Sequence, residues 1–144
     1  MYRTSKGMMV NFLEIDTGTE SEAPLRSKLQ RYRVWSESPQ GKEHLLSLYQ
    51  RHGAKEPRPV FRLLFIVSGN TEEQERSRIE LLIELSGEVS SDLQRRVWIC
   101  SGRELVHDLD ASLPFERPVW LCGQDGFELS GKCSLLTRRR SNSR

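Results

Sequence analysis

The chain has no apolar run approaching eighteen residues, and its first residues lack the basic-then-apolar layout of a secretion signal. Neither a membrane-spanning helix nor a secretory leader is expected, and the cytoplasm is the default location. Cysteine is scarce. Cys100, Cys122 and Cys133 are odd in number and lack any Cys-x-x-Cys spacing, which argues against a disulfide framework or a zinc ribbon and for reduced, structural thiols. The three histidines, His44, His52 and His107, are scattered without ligand spacing, so no His-based metal site and no Ser-His-Asp or Cys-His constellation can be assembled. No glycine-rich phosphate loop is present: Gly69, in Ser68-Gly69-Asn70, stands alone, which is too little to cradle a nucleotide. Internal repeats and long low-complexity segments are likewise absent.

What remains is a polar chain of 144 residues, 29% charged and 36% hydrophobic. That length suits one domain with a real core and is short for two. We read residues 1–136 as a single α/β domain and 137–144 as a basic, disordered tail. The tail holds Arg138, Arg139, Arg140 and Arg144 and no acid; subtracting these four from the formal net charge of +2 leaves −2. A domain of that charge lacks the concentrated basic stripe of a phosphate-tracking surface.

Periodicity supplies the fold class. Residues 1–7 read as a frayed lead-in or an incomplete strand, followed by a strand over 8–16. A helix is expected over about 22–36, with Ser21 as N-cap and Pro24 in its first turn, where a missing N–H costs nothing. After a Ser-Pro-Gly break at 37–41 comes a second helix near 42–51, stopped by Gly53. Val60–Val67 is nearly continuous in apolar residues, as a parallel strand covered on both faces would be. Thr71 and Gln74 form a capping-box pattern for a helix that Gly87 would end, and Val97–Cys100 is the next strand. Ser101 and Glu104 suggest a short helix around 102–109. Beyond it, Pro118–Cys122, Phe127–Leu129 and Cys133–Leu136 read as short extended pieces forming an edge or flap. Strands alternating with helices imply a mainly parallel layered sheet with flanking helices.

The chemistry concentrates in the run Val10-Asn11-Phe12-Leu13-Glu14-Ile15-Asp16-Thr17-Gly18-Thr19-Glu20-Ser21. With a side-chain period of two, Phe12, Glu14 and Asp16 share one face of the strand, the two acids about 6.5 Å apart along it, while Leu13 and Ile15 point the other way. On the helix, Leu25, Leu29 and Tyr32 follow inward spacing, and Lys28 falls inside the border of that stripe, able to reach back over the acids. Two carboxylates suit Mg²⁺ or Mn²⁺, whose bound water attacks a phosphodiester, with Lys28 as electrostatic helper. The competing reading has the acids at a solvated strand end and Lys28 snorkelling. Tyr32 reads as a core-edge residue, Glu20 and Glu22 as acids favoured by a helix N-terminus, and Arg26, Arg31 and Arg33 as a solvated face able to meet phosphates.

The run Phe-Leu-Glu-Ile-Asp-Thr-Gly-Thr-Glu-Ser, followed by Leu25, Lys28 and Tyr32, resembles the replication-relaxation family of bacterial plasmid and mobile-element proteins. More distantly it is similar to the PD-(D/E)XK nuclease superfamily. The resemblance is close over residues 10–36 and looser, in element order alone, to about residue 101. It implies a restriction-endonuclease-like core, a catalytic set of Glu14, Asp16 and Lys28, and a divalent metal, Mg²⁺ or Mn²⁺, on Glu14 and Asp16. Asp16 stands where the superfamily carries its lysine, and Lys28 matches a lysine moved to the helix in some members. No Asp or Glu precedes Glu14, so the superfamily's first acid is missing and an N-terminal portion is expected to be lost or supplied elsewhere. The implied function is a DNA-associated role in plasmid or mobile-element replication or maintenance, with a catalytically incomplete nuclease-like core. The alternative is an active metal-dependent DNA endonuclease. DNA, contacted through a separate or missing domain, and a replication protein are the implied partners.

Overall fold

A computed structural model describes the backbone of residues 2–4, 7–103, 118–121 and 132–134, and the side chains from 8 to 103. The elements run β1 (Tyr2–Thr4), β2 (Gly7–Asp16), α1 (Glu22–Glu37), α2 (Pro39–Arg51), β3 (Phe61–Val67), α3 (Glu72–Val89), α4 (Ser91–Arg96), β4 (Val97–Ser101), β5 (Pro118–Leu121) and β6 (Lys132–Ser134). The six strands lie side by side in chain order. The centre, β2-β3-β4, is parallel, with Glu14 opposite Phe65 and Phe65 opposite Ile99. β1, β5 and β6 join antiparallel. The protein is therefore α/β, and among the described strands the parallel part of its sheet is three strands wide, narrower than the mainly parallel sheet that the alternation suggests. The connections into β3 and β4 carry helices and can cross over, whereas only two residues separate β1 from β2, too few for anything but an antiparallel neighbour.

Both helical connections return to the same side of the sheet, as successive crossovers of one hand between adjacent strands require. The buried cluster is the record of this packing. It joins Val10, Phe61, Leu63, Phe65, Val67, Val97 and Ile99 from one sheet face to Leu25 and Leu29 of α1, Leu45 and Tyr49 of α2, Ile79, Leu82, Leu85 and Val89 of α3, and Leu93 of α4. On the opposite face Leu64, Trp98 and Cys100 are buried, while Leu13 and Ile15 of β2 are 56% and 64% exposed. β3 is thus covered on both sides, as its unbroken apolar run implies, and β2 on one only.

Local chemistry accounts for the boundaries. The break at 37–41 is a corner: Ser38 ends α1 and caps α2, its Oγ accepting from Gly41 N at 3.0 Å, with Pro39 in the first turn. The second helix accordingly begins three residues before the expected Lys42. Gly41 is needed for close approach, since a Cβ there would lie 1.9 Å from the Trp35 carbonyl oxygen. Thr71 caps α3 through Gln74 N, and Gln74 reaches back to Asn70 N. Gly87 does not end α3, which runs on to Val89; Ser90 then caps α4 by accepting from Asp92 N and Leu93 N.

No helix among the described residues is long and apolar enough to cross a membrane. The expected helix at 102–109 beyond residue 103, the extended piece at 127–129 and the arginine tail lie outside the described residues, as do the side chains of Cys122, Cys133 and His107.

Candidate functional site

Glu14 and Asp16 leave β2 on the same face, as the period of two requires, and then part company. Asp16, its side chain 3% exposed, turns to α3, where Arg78 grips it bidentately: Nε to Oδ2 at 2.6 Å and Nη2 to Oδ1 at 3.1 Å. Gly18, in the left-handed region at φ 74°, donates its N–H to Asp16 Oδ1 at 2.9 Å. The Asp16 carbonyl accepts from Ser68 N at 2.8 Å, fastening the end of β2 to the end of β3. A carboxylate held by two guanidinium bonds and a backbone N–H is committed to structure.

Glu14 turns to α1. Its Oε1 accepts from the Tyr32 hydroxyl at 2.5 Å, and its Oε2 lies 3.3 Å from Lys28 Nζ, which also donates to Glu20 at 2.9 Å. Burial alone would depress the Lys28 ammonium, but its bond to Glu20 and the charge and bond of Glu14 outweigh this, leaving its pKa above the ordinary lysine value and the group charged. Burial, reinforced by the hydrogen bond and charge of Glu14, pushes the Tyr32 phenol well above its usual value. Tyr32 thus stays protonated past its ordinary range and donates to Glu14.

The expected trio is divided. Glu14 and Lys28 meet, whereas Asp16 is drawn 62 residues along the chain to Arg78. Among the described residues no three His, Cys, Asp or Glu side chains converge where they could hold a metal ion. As arranged, the donor set does not fit Mg²⁺ or Mn²⁺ shared between Glu14 and Asp16, because the Arg78 guanidinium neutralises Asp16 and Glu14 faces another helix.

Glu14, Lys28 and Tyr32 line a pocket of about 380 Å³ together with Phe12, Arg31 and Trp35. The Phe12 ring stands edge-on to Trp35 at 5.4 Å and tilted to Tyr32 at 6.0 Å, with Phe61 behind them. Apolar rings form one wall and charges the other. Arg26 and Arg33 point elsewhere: Arg26 pairs with Glu22 and with Glu88 of α3, and Arg33 with Glu37 and the Val89 carbonyl, so both bind α1 to its neighbours. Arg31 is exposed and has no ion-pair partner among the described residues.

Glu75 is a second buried acid, outside the run that concentrates the chemistry in the sequence. It accepts from Gly69 N and Arg103 Nε and from the Ser101 hydroxyl, tying α3 to the ends of β3 and β4. Glu75, Arg78, Ile79, Leu82 and Leu85 share helical inward spacing, so a charged pair inside that stripe was the available signal. Glu20 likewise serves Lys28, beyond its place near a helix N-terminus.

No family model, curated protein or solved structure matches this chain.

Proposed function

We propose that the protein is a DNA-associated module of plasmid or other mobile-element replication or maintenance, built on a restriction-endonuclease-like core without a working phosphodiester-cleaving centre. The observation that carries the second half is the Asp16–Arg78 pair: the acid best placed to complete a metal site with Glu14 is neutralised inside the fold. The first half rests on the resemblance of residues 10–36 to replication-relaxation proteins. In this reading Glu14 and Lys28 are remnants of a phosphate-processing site. DNA is met partly through another domain or subunit, and a replication protein is the expected partner.

The test is incubation of supercoiled plasmid with the protein and Mg²⁺ or Mn²⁺, alongside gel-shift titration of the same DNA. Retarded DNA without nicking is expected. Nicking that disappears in both Glu14→Ala and Asp16→Ala would replace this reading with an active metal-dependent endonuclease, the role that the 3.3 Å approach of Lys28 to Glu14 favours. Failure to bind DNA in any form would remove the DNA-associated role.

A further inference from the structure

We propose that the pocket between β2 and α1 receives one unpaired nucleobase of single-stranded DNA, its amino edge turned to Glu14 and its phosphates to Lys28 and Arg31. The proposal rests on the DNA-associated reading and supplies a ligand class for a pocket which that reading leaves unassigned.

Four features of the pocket select this occupant. The first is its wall: Phe12, Tyr32 and Trp35 are each only partly buried although their rings adjoin at 5.4 and 6.0 Å. A flat aromatic ligand finds a π-surface there, and base–aromatic stacking tolerates any base. The second is size, since about 380 Å³ sits at the lower end of small-molecule sites and admits a base with its sugar but not a duplex. The third is charge at the mouth. Lys28, shared between Glu14 and Glu20, keeps one ammonium hydrogen for a phosphate oxygen, and Arg31, exposed without an ion-pair partner among the described residues, supplies the unneutralised positive charge.

The fourth is Glu14. An ionised carboxylate only accepts, and each of its oxygens has room for two donors. Tyr32 occupies one position on Oε1 and Lys28 one on Oε2. The remaining positions suit a base presenting an amino group. Cytosine N4 meets that need; thymine presents O4 at the same place and would face the carboxylate acceptor to acceptor.

The experiment compares oligo(dC) and oligo(dT) of equal length, titrated into the full chain at low salt and followed by fluorescence anisotropy. Oligo(dC) should bind about tenfold more tightly. Glu14→Gln preserves the side chain's shape and an acceptor for Tyr32 but adds a donor, and should bring the ratio close to one. Trp35→Leu should weaken both ligands by a similar factor of about ten through lost stacking. Arg31→Ala, at an exposed position, should weaken both and flatten the salt dependence. Equal affinity of the wild type for the two oligomers, or a preference that survives Glu14→Gln, overturns the base pocket. If duplex DNA is still bound in that case, the broader DNA-associated reading stands. Binding of neither single strands nor duplex defeats both. A response to tetramethylammonium without any to the oligomers would reassign the rings to a cation and overturn the proposal.

Discussion

Arg78 and Asp16 meet where water hardly reaches, with side chains 12% and 3% exposed. Removing one partner leaves the other charged and desolvated, so Arg78→Met should cost about 3–5 kcal/mol of stability. Adding Asp16→Asn to it should recover part of that loss, because the orphaned charge disappears. Urea midpoints of the two variants beside the wild type make the comparison. Tyr32 gives a different signature, in pH. Its folded pKa lies above the ordinary phenol value of 10.0, so above that pH the unfolded chain sheds a proton which the folded chain retains. The stability it contributes is complete below pH 10.0 and declines as pH rises toward the folded value. Tyr49 is raised as well, by burial first, and adds to the same slope. Tyr32→Phe should therefore flatten, without abolishing, the alkaline loss of stability measured by urea unfolding across that range.

Among the elements, the α1–α2 corner has the least freedom. Replacing a helical glycine with alanine ordinarily gains about 1 kcal/mol. At Gly41 the new Cβ would meet the Trp35 carbonyl oxygen at 1.9 Å, a backbone atom that cannot swing aside. Crowding wins, and Gly41→Ala should destabilise by about 1–3 kcal/mol in thermal or urea unfolding. This corner also marks the boundary of what the sequence discloses. Helical spacing revealed α1, the Thr71–Gln74 capping pattern revealed α3, the apolar run of 60–67 revealed β3, and the period of two put Glu14 and Asp16 on one face with Leu13 and Ile15 on the other. Lys28 could be placed over Glu14 because strand and helix are joined by a short turn. Arg78 could not be assigned to Asp16, since nothing local links residues 62 positions apart. Ser38 read as part of a break because its hydroxyl supports a helix start as readily as a turn. Gly87 read as a stop because glycine's usual place past a helix end outweighed the less visible cap at Ser90.

At the scale of the molecule, the sheet treats its faces unequally. On the face opposite the described helices, Ile15 is 64% exposed and Leu64, one strand away, is 5% exposed. Ile15→Lys should thus change stability by no more than about 0.5 kcal/mol. Leu64→Ala should cost about 2–5 kcal/mol. Equilibrium unfolding of both in one buffer tests the contrast, and a large loss for Ile15→Lys would mean that this part of β2 is covered in solution.

The helix side of β2 and its bare side therefore answer to different pressures. Packing disciplines Val10 and Phe12, whereas Leu13 and Ile15 are policed by what the chain sticks to. Their replacement by polar residues should leave melting behaviour alone and be felt in yield, in retention on hydrophobic resin, and in how concentrated a solution stays clear.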